Sequence, residues 1–189
     1  MKLDELKKML INKTPEQIIE LIGMKDVPID IKTILRNKFN IKIDEKREWE
    51  KLALDGCVYL EKGYPEIWLN NTVSEVRQSF TLAHELGHIV NDILPNPENY
   101  QGPIKDDFNT LYRNGISNSM ERRANDFAAR FLMPAKFIAK EARKLTESPD
   151  FEEIGLEEFI KRMANRFRVS YDAMKYRLIN LGYLDKEKI

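Results

Sequence analysis

Apolar positions recur at helical spacing through the first forty or so residues. Leu3, Leu6, Met9 and Leu10, with charged residues between them, predict a short amphipathic helix. A second starts at Thr14 as N-cap, with Pro15 at its first position and Gln17 three after the cap; Ile18, Ile19, Leu21 and Ile22 form its face and Gly23 stops it. A third, from Pro28 to Lys38, uses Ile31, Ile34, Leu35 and Phe39. The period then shortens. Asn40-Ile41-Lys42-Ile43-Asp44 alternates as a strand does, and two more strands are expected at Gly56–Glu61 and Glu66–Asn70 around a Lys62-Gly63-Tyr64-Pro65 turn, all three antiparallel. Ser74 and Glu75 open a long helix through Val90.

From Asn91 to Asn118 no long periodic segment exists, and Pro95, Pro97, Gly102, Pro103 and Gly115 break the chain repeatedly. A loop of that length is a surface excursion, a substrate-gating lid, or a cover for short elements such as a turn of helix at Asp107–Tyr112. Regularity resumes with Ser119 as N-cap of a helix whose buried stripe is Ala124, Phe127, Ala128 and Phe131. Pro134 ends it and opens another helix to about Lys144. Ser148-Pro149-Asp150 is the best boundary, dividing the chain into residues 1–148 and a C-terminal piece, 149–189. The element order reads as α+β: a small sheet packed on one long helix, mostly helical elsewhere.

That long helix carries His84-Glu85-Leu86-Gly87-His88, and these are the chain's only two histidines. Residues four apart share a helix face, so both imidazoles can address one ion while Glu85 projects to the side. Zinc peptidases need such a set, two nitrogen ligands and a carboxylate that takes a proton from the attacking water. The plain alternative is a helix that merely contains two histidines. Against it, Leu82, Ala83, Leu86, Gly87, Ile89 and Val90 are uncharged, where a solvated helix carries charges.

Bulk composition narrows the class. The 189 residues suit one medium domain, and 42% hydrophobic content supports a real core. Lys plus Arg and Asp plus Glu balance at 31 each, so no overall field draws the chain to nucleic acid or membrane. Cys57, the one cysteine, excludes an internal disulfide and suits a reducing cytoplasm. It lies in an apolar run, as a buried inert thiol does. No apolar run approaches a membrane span or a signal-peptide core, which points to a cytoplasmic protein.

A catalytic zinc takes three protein ligands and one water. With the histidines used, the third ligand is expected to be a carboxylate. Glu121 stands near the start of a helix with a strongly apolar face, one turn before Asn125, from which an amide can reach a ligating imidazole. Asp126 and Glu141 compete for the role. The plain reading of Glu121 is a carboxylate favoured by the helix dipole.

The paired motifs Phe80-Thr81-Leu82-Ala83-His84-Glu85-Leu86-Gly87-His88 and Glu121-x-x-x-Asn125-x-Phe127-Ala128-Ala129-x-Phe131-Leu132-Met133-Pro134 resemble the ImmA/IrrE family of HExxH metallopeptidases. The resemblance covers about Pro28 to Pro134 and, more loosely, the C-terminal piece. It implies a zincin-like domain with a gluzincin-like site: His84, His88 and Glu121 as ligands of a zinc or another divalent ion, Glu85 as general base, Asn125 behind a ligand. Members often carry a second Glu two residues before the Asn. Here that position is Arg123, which leaves Glu121 as the motif's one candidate. The resemblance also implies a substrate, a helix-turn-helix repressor of a mobile element or stress regulon, inactivated by limited proteolysis.

Leu156 to Tyr183 predicts two helices split by Arg168-Val169-Ser170, following the A-x-x-x-G-V-S pattern of a helix-turn-helix with Arg168 in the usual glycine position. Its small basic surplus does not by itself argue phosphate binding, so DNA contact, repressor docking and helical packing all remain readings. Ile67–Leu69 is expected as an edge strand able to receive substrate by strand addition. Tyr100, Tyr112 and Arg113 are candidate oxyanion donors, with core or surface roles as the alternative. Two other functions fit parts of the pattern. One is a non-catalytic regulator or antirepressor that binds DNA or a repressor around a structural metal. The other is a non-haem iron oxygenase, since two His and a carboxylate also form a facial triad.

Overall fold

Capping residues define where the second and third helices of the chain begin. The computed structural model describes residues 3–46, 54–100, 104–105, 119–149 and 154–185. Helix α1 spans Leu3–Leu10 and α2 spans Pro15–Leu21. Thr14 caps α2 in a full capping box: its hydroxyl accepts from Gln17 N, and Gln17 Oε1 accepts from Thr14 N. Helix α3 covers Ile31–Asn37, shorter than the expected Pro28–Lys38. Asp30 explains the late start, because its carboxylate accepts from Thr33 N and fixes the N-cap there.

Strands β1 (Lys42–Asp44), β2 (Gly56–Glu61), β3 (Tyr64–Leu69) and β4 (Ile104–Lys105) make one sheet in the order β1-β3-β2-β4. The β2–β3 hairpin turns on Lys62 and Gly63, whose φ angles of 51° and 78° are those of a turn that follows strand twist. The expectation of three antiparallel strands is corrected: β1 runs parallel to β3, with Ile43 opposite Ile67. A parallel neighbour requires a long connection, and here the path from β1 to β3 includes β2, which runs antiparallel to β3. β3 is therefore interior, hydrogen-bonded on both sides, and Ile67–Leu69 is not an edge. On its outer side β2 pairs with β4 at Cys57 and Val58.

Helix α4, Glu75–His88, is capped by Ser74, whose hydroxyl accepts from Arg77 N. Every residue from Thr81 to His88 is buried. One side of α4 meets β2 and β3, and another meets α5, Ser119–Leu132, in the most extensive helix pairing of the fold. Ser119 is the first helical residue of α5 rather than its cap. The segment after α4 begins with a π turn, Ile89–Ile93, closed by Leu94 N donating to Ile89 O, and a short 3-10 turn at Pro97–Asn99. The expected turn of helix at Asp107–Tyr112 lies outside the described residues, as does the charged stretch around Trp49.

Helices α6 (Ala135–Thr146), α7 (Leu156–Phe167) and α8 (Tyr171–Asn180) follow. Arg168 ends α7 in the left-handed conformation, φ 53° and ψ 49°, the backbone that the helix-turn-helix pattern assigns to glycine. Ile160, Met163, Phe167, Met174 and Leu178 join the same apolar cluster as α4 and α5. The Arg177 side chain, itself buried, donates to Met133 O at 3.0 Å, satisfying a carbonyl beyond the end of α5. No helix among the described residues is long and apolar enough to cross a membrane.

Two contacts yield predictions. Gly87 lies where α4 and α5 cross. A Cβ there would sit 3.1 Å from Ala124 Cα and 3.2 Å from Phe127 Cβ, tighter than ordinary packing. In an exposed helix Gly→Ala stabilises by about 1 kcal/mol. Here Gly87→Ala is expected to lower the thermal midpoint instead, and Gly87→Val to lower it further, by about 1–3 kcal/mol in stability. A rise in midpoint for Gly87→Ala would contradict the close crossing. The second contact concerns Glu141, buried between Lys144 and Arg166. Burial alone would raise its pKa, but hydrogen bonds from Lys144 and Arg166 outweigh it and hold the carboxyl below its ordinary value. A depressed folded pKa contributes stability that is present above the unfolded value, about 4.3, and lost as pH falls through the folded one. Glu141→Gln should therefore be less stable than the wild type near neutral pH, with the two thermal midpoints converging below about pH 4. A gap independent of pH would count against this pairing.

Candidate metal centre

The central helix and its neighbour place three ligand atoms at one point. One turn apart on α4, the His84 and His88 rings meet edge-on, with centroids 4.7 Å apart and Nε2 atoms 3.0 Å apart. Glu121, in the first turn of α5, sets Oε2 3.2 Å from His84 Nε2 and Oε1 3.3 Å from His88 Nε2. Among the described residues these three form the group with metal-ligand spacing. Asp126 pairs with Arg130, and Glu141 with Lys144 and Arg166, so neither competitor joins the histidines. Cys57 is buried in β2 and is not part of the group.

The outer nitrogens decide what the inner ones can do. Asn125 Oδ1 lies 2.9 Å from His84 Nδ1, and Asp92 Oδ2 lies 2.8 Å from His88 Nδ1. Carboxylate and amide oxygens accept, so each Nδ1 carries the proton and each Nε2 presents a lone pair. Two lone pairs and a carboxylate converging at 3.0–3.3 Å repel unless a cation lies between them. Tetrahedral bonds of about 2.0–2.1 Å put ligand atoms about 3.3–3.4 Å apart, close to these separations. The residues fit a divalent ion.

Glu85 is fully buried beside the pair. A Cβ on Gly56 would come 3.4 Å from Glu85 Oε1 and 2.5 Å from Thr81 Cγ2, so the start of β2 can pass the helix only as glycine. The nearby Arg77–Asp55 ion pair ties the first turn of α4 to the residue before β2.

Asp92 and the role of Arg123 are absent from the sequence reading. Arg123 Nη2 donates to Asp92 Oδ1 at 2.7 Å. A signal existed: Asp92 continues the His84–His88 row by another four residues, in a stretch from Ile89 to Leu94 whose other residues except Asn91 are apolar. The π turn carries it back to His88, as such turns often do near functional sites. Of the candidate oxyanion donors, Tyr112 and Arg113 lie outside the described residues. Tyr100 is described; burial and then the charge of Asp92 raise its pKa, so its hydroxyl stays protonated and able to donate.

Comparisons with known proteins give similar chains and a family. Over 160 residues the chain is 26% identical to the UPF0398 protein of Lysinibacillus sphaericus (strain C3-41), covering 84% of this chain and 83% of that one. Its fold is similar to that of a Mycobacterium tuberculosis transcriptional regulator, with a TM-score of 0.52 at 16% identity over 93% of this chain. The chain spans 46% of that longer protein. The model of the IrrE N-terminal-like domain, peptidase M78, matches residues 30–179, and the chain belongs to this metallopeptidase family.

Proposed function

We propose that this chain is a zinc-dependent endopeptidase that inactivates a helix-turn-helix transcriptional repressor by cleaving it in the cytoplasm. The observation that carries the hydrolytic part is the convergence of His84, His88 and Glu121 with Glu85 adjoining them. A bound zinc supplies Lewis acidity toward the scissile carbonyl and makes water a nucleophile near neutral pH. Glu85 takes the proton of the attacking water and delivers it to the leaving amine. His84 and His88 are held in the tautomer that keeps the proton on Nδ1 and presents the Nε2 lone pair. Among the described residues no fourth ligand closes the site, which favours a catalytic over a structural ion. The spare Glu85 favours hydrolysis over the facial triad of an iron oxygenase, which needs no such base.

Of the three candidate oxyanion donors, Tyr100 is the one among the described residues, with Asp92, His88 and Arg123 as its electrostatic neighbours. Since β3 is interior, a substrate strand would add at the β4 side of the sheet, the side on which β2 leads back to Gly56 and Glu85. The repressor as substrate rests on the family resemblance. Residues 149–189 serve in this reading as a subdomain that docks the repressor. A second reading, a non-catalytic regulator that binds DNA or the repressor, draws on the α7–Arg168–α8 turn and on the regulator of similar fold.

The test is incubation of the purified protein with a helix-turn-helix repressor encoded beside it. Cleavage by the wild type should vanish with chelator. It should fall by about 100-fold or more in Glu85→Gln, which keeps its zinc. Cleavage unchanged in Glu85→Gln would overturn the proposed mechanism, and repressor or operator-DNA binding without cleavage would favour the second reading.

A further inference from the structure

We propose that Asp92 and Arg123 form a positioning relay that fixes His88 as a metal ligand; the proposal rests on the metal-centre reading above. The Asp92 side chain is 3% exposed. A carboxylate removed from water to that extent costs several kcal/mol unless both oxygens are satisfied by charge-compensating partners. Here both are engaged, Oδ2 with His88 Nδ1 and Oδ1 with Arg123 Nη2. The guanidinium provides the compensating charge and holds the carboxylate in the orientation that addresses the imidazole.

The two histidines are supported differently. His84 leans on a neutral amide, Asn125, while His88 leans on a carboxylate backed by a cation. All three supports on the α5 side come from one short run: Glu121 at the ligand position, Asn125 one turn later on the same face, and Arg123 between them. Position 123 lies off the Glu121–Asn125 stripe, and a long side chain is what reaches Asp92 from there. Helix α5 thus sets both histidines, His84 directly and His88 through Asp92. The Arg123 side chain is 51% exposed, so a substitution at its guanidinium leaves the core packing in place.

Coulomb's law and positioning predict opposite signs. Removing a nearby cation should tighten the binding of a divalent ion through space. Removing the group that orients a supporting carboxylate should weaken it. Zinc affinity of the metal-free protein, measured by competition with a chromogenic chelator, separates the two. Asp92→Asn is expected to weaken binding by about 10–100-fold and Arg123→Gln by about tenfold, with Arg123→Lys recovering most of the loss. In the Asp92→Asn background, Arg123→Gln should add nothing, because the relay is already broken. Thermal unfolding of the metal-free variants separates a positioning effect from a folding defect. If Asp92→Asn fails to fold, the comparison of Arg123→Gln with Arg123→Lys carries the test. Arg123→Gln binding zinc as tightly as the wild type, or more tightly, overturns the relay while leaving the metal centre standing. An equal loss with and without Asp92 also overturns it. A wild type with no zinc affinity, or a Glu121→Gln/His84→Ala variant as tight as the wild type, overturns the metal centre and the relay with it.

Discussion

The structure depends on how closely α4 and α5 approach at Gly87 and Ala124. Glu121 is three residues before Ala124 on α5, and Gly87 lies between the two histidines of α4. The crossing that removes room for a Cβ at position 87 is therefore the same crossing that brings a carboxylate to His84 and His88. A wider helix pair would separate the acidic ligand from the imidazoles. Gly56 acts similarly on the opposite side, where the start of β2 comes against Thr81 and Glu85. Two glycines thus set the spacing of a buried polar site within an apolar interior.

That site is costly to assemble, and the surrounding polar groups show how the cost is offset. His84, Glu85 and His88 are fully buried, and a buried polar group without partners would destabilise the fold by a few kcal/mol. Asn125 and Asp92 engage the outer nitrogens of the histidines and align the inner ones, and Arg123 holds Asp92. What converges inside is two imidazole lone pairs and a carboxylate, a donor set that fits a divalent ion.

Much of this is legible along the chain because it is local. The capping box at Thr14, the Ser74 cap, the Gly56–Glu61 strand and the His84–His88 spacing each depend on residues within a turn of one another. Glu121 and Asn125 can be paired in advance for the same reason, being one turn apart. The parallel placement of β1 cannot be read this way, since three residues of alternating pattern carry no information about strand direction. Arg123 is similarly opaque: its partner is 31 residues away, across the helix crossing. Asp92 is intermediate, since its spacing from His88 is local but its importance emerges only once the turn is seen to be buried.

The most direct test of the account is X-ray absorption at the zinc edge of the protein loaded with one equivalent of metal. The account predicts a nitrogen and oxygen shell at about 2.0–2.1 Å, with the multiple-scattering pattern of two imidazoles, and no sulfur. In Glu121→Gln the metal should be bound more weakly with both imidazoles retained. A sulfur contribution at about 2.3 Å, which would implicate Cys57, or a spectrum with fewer than two imidazoles, would contradict it.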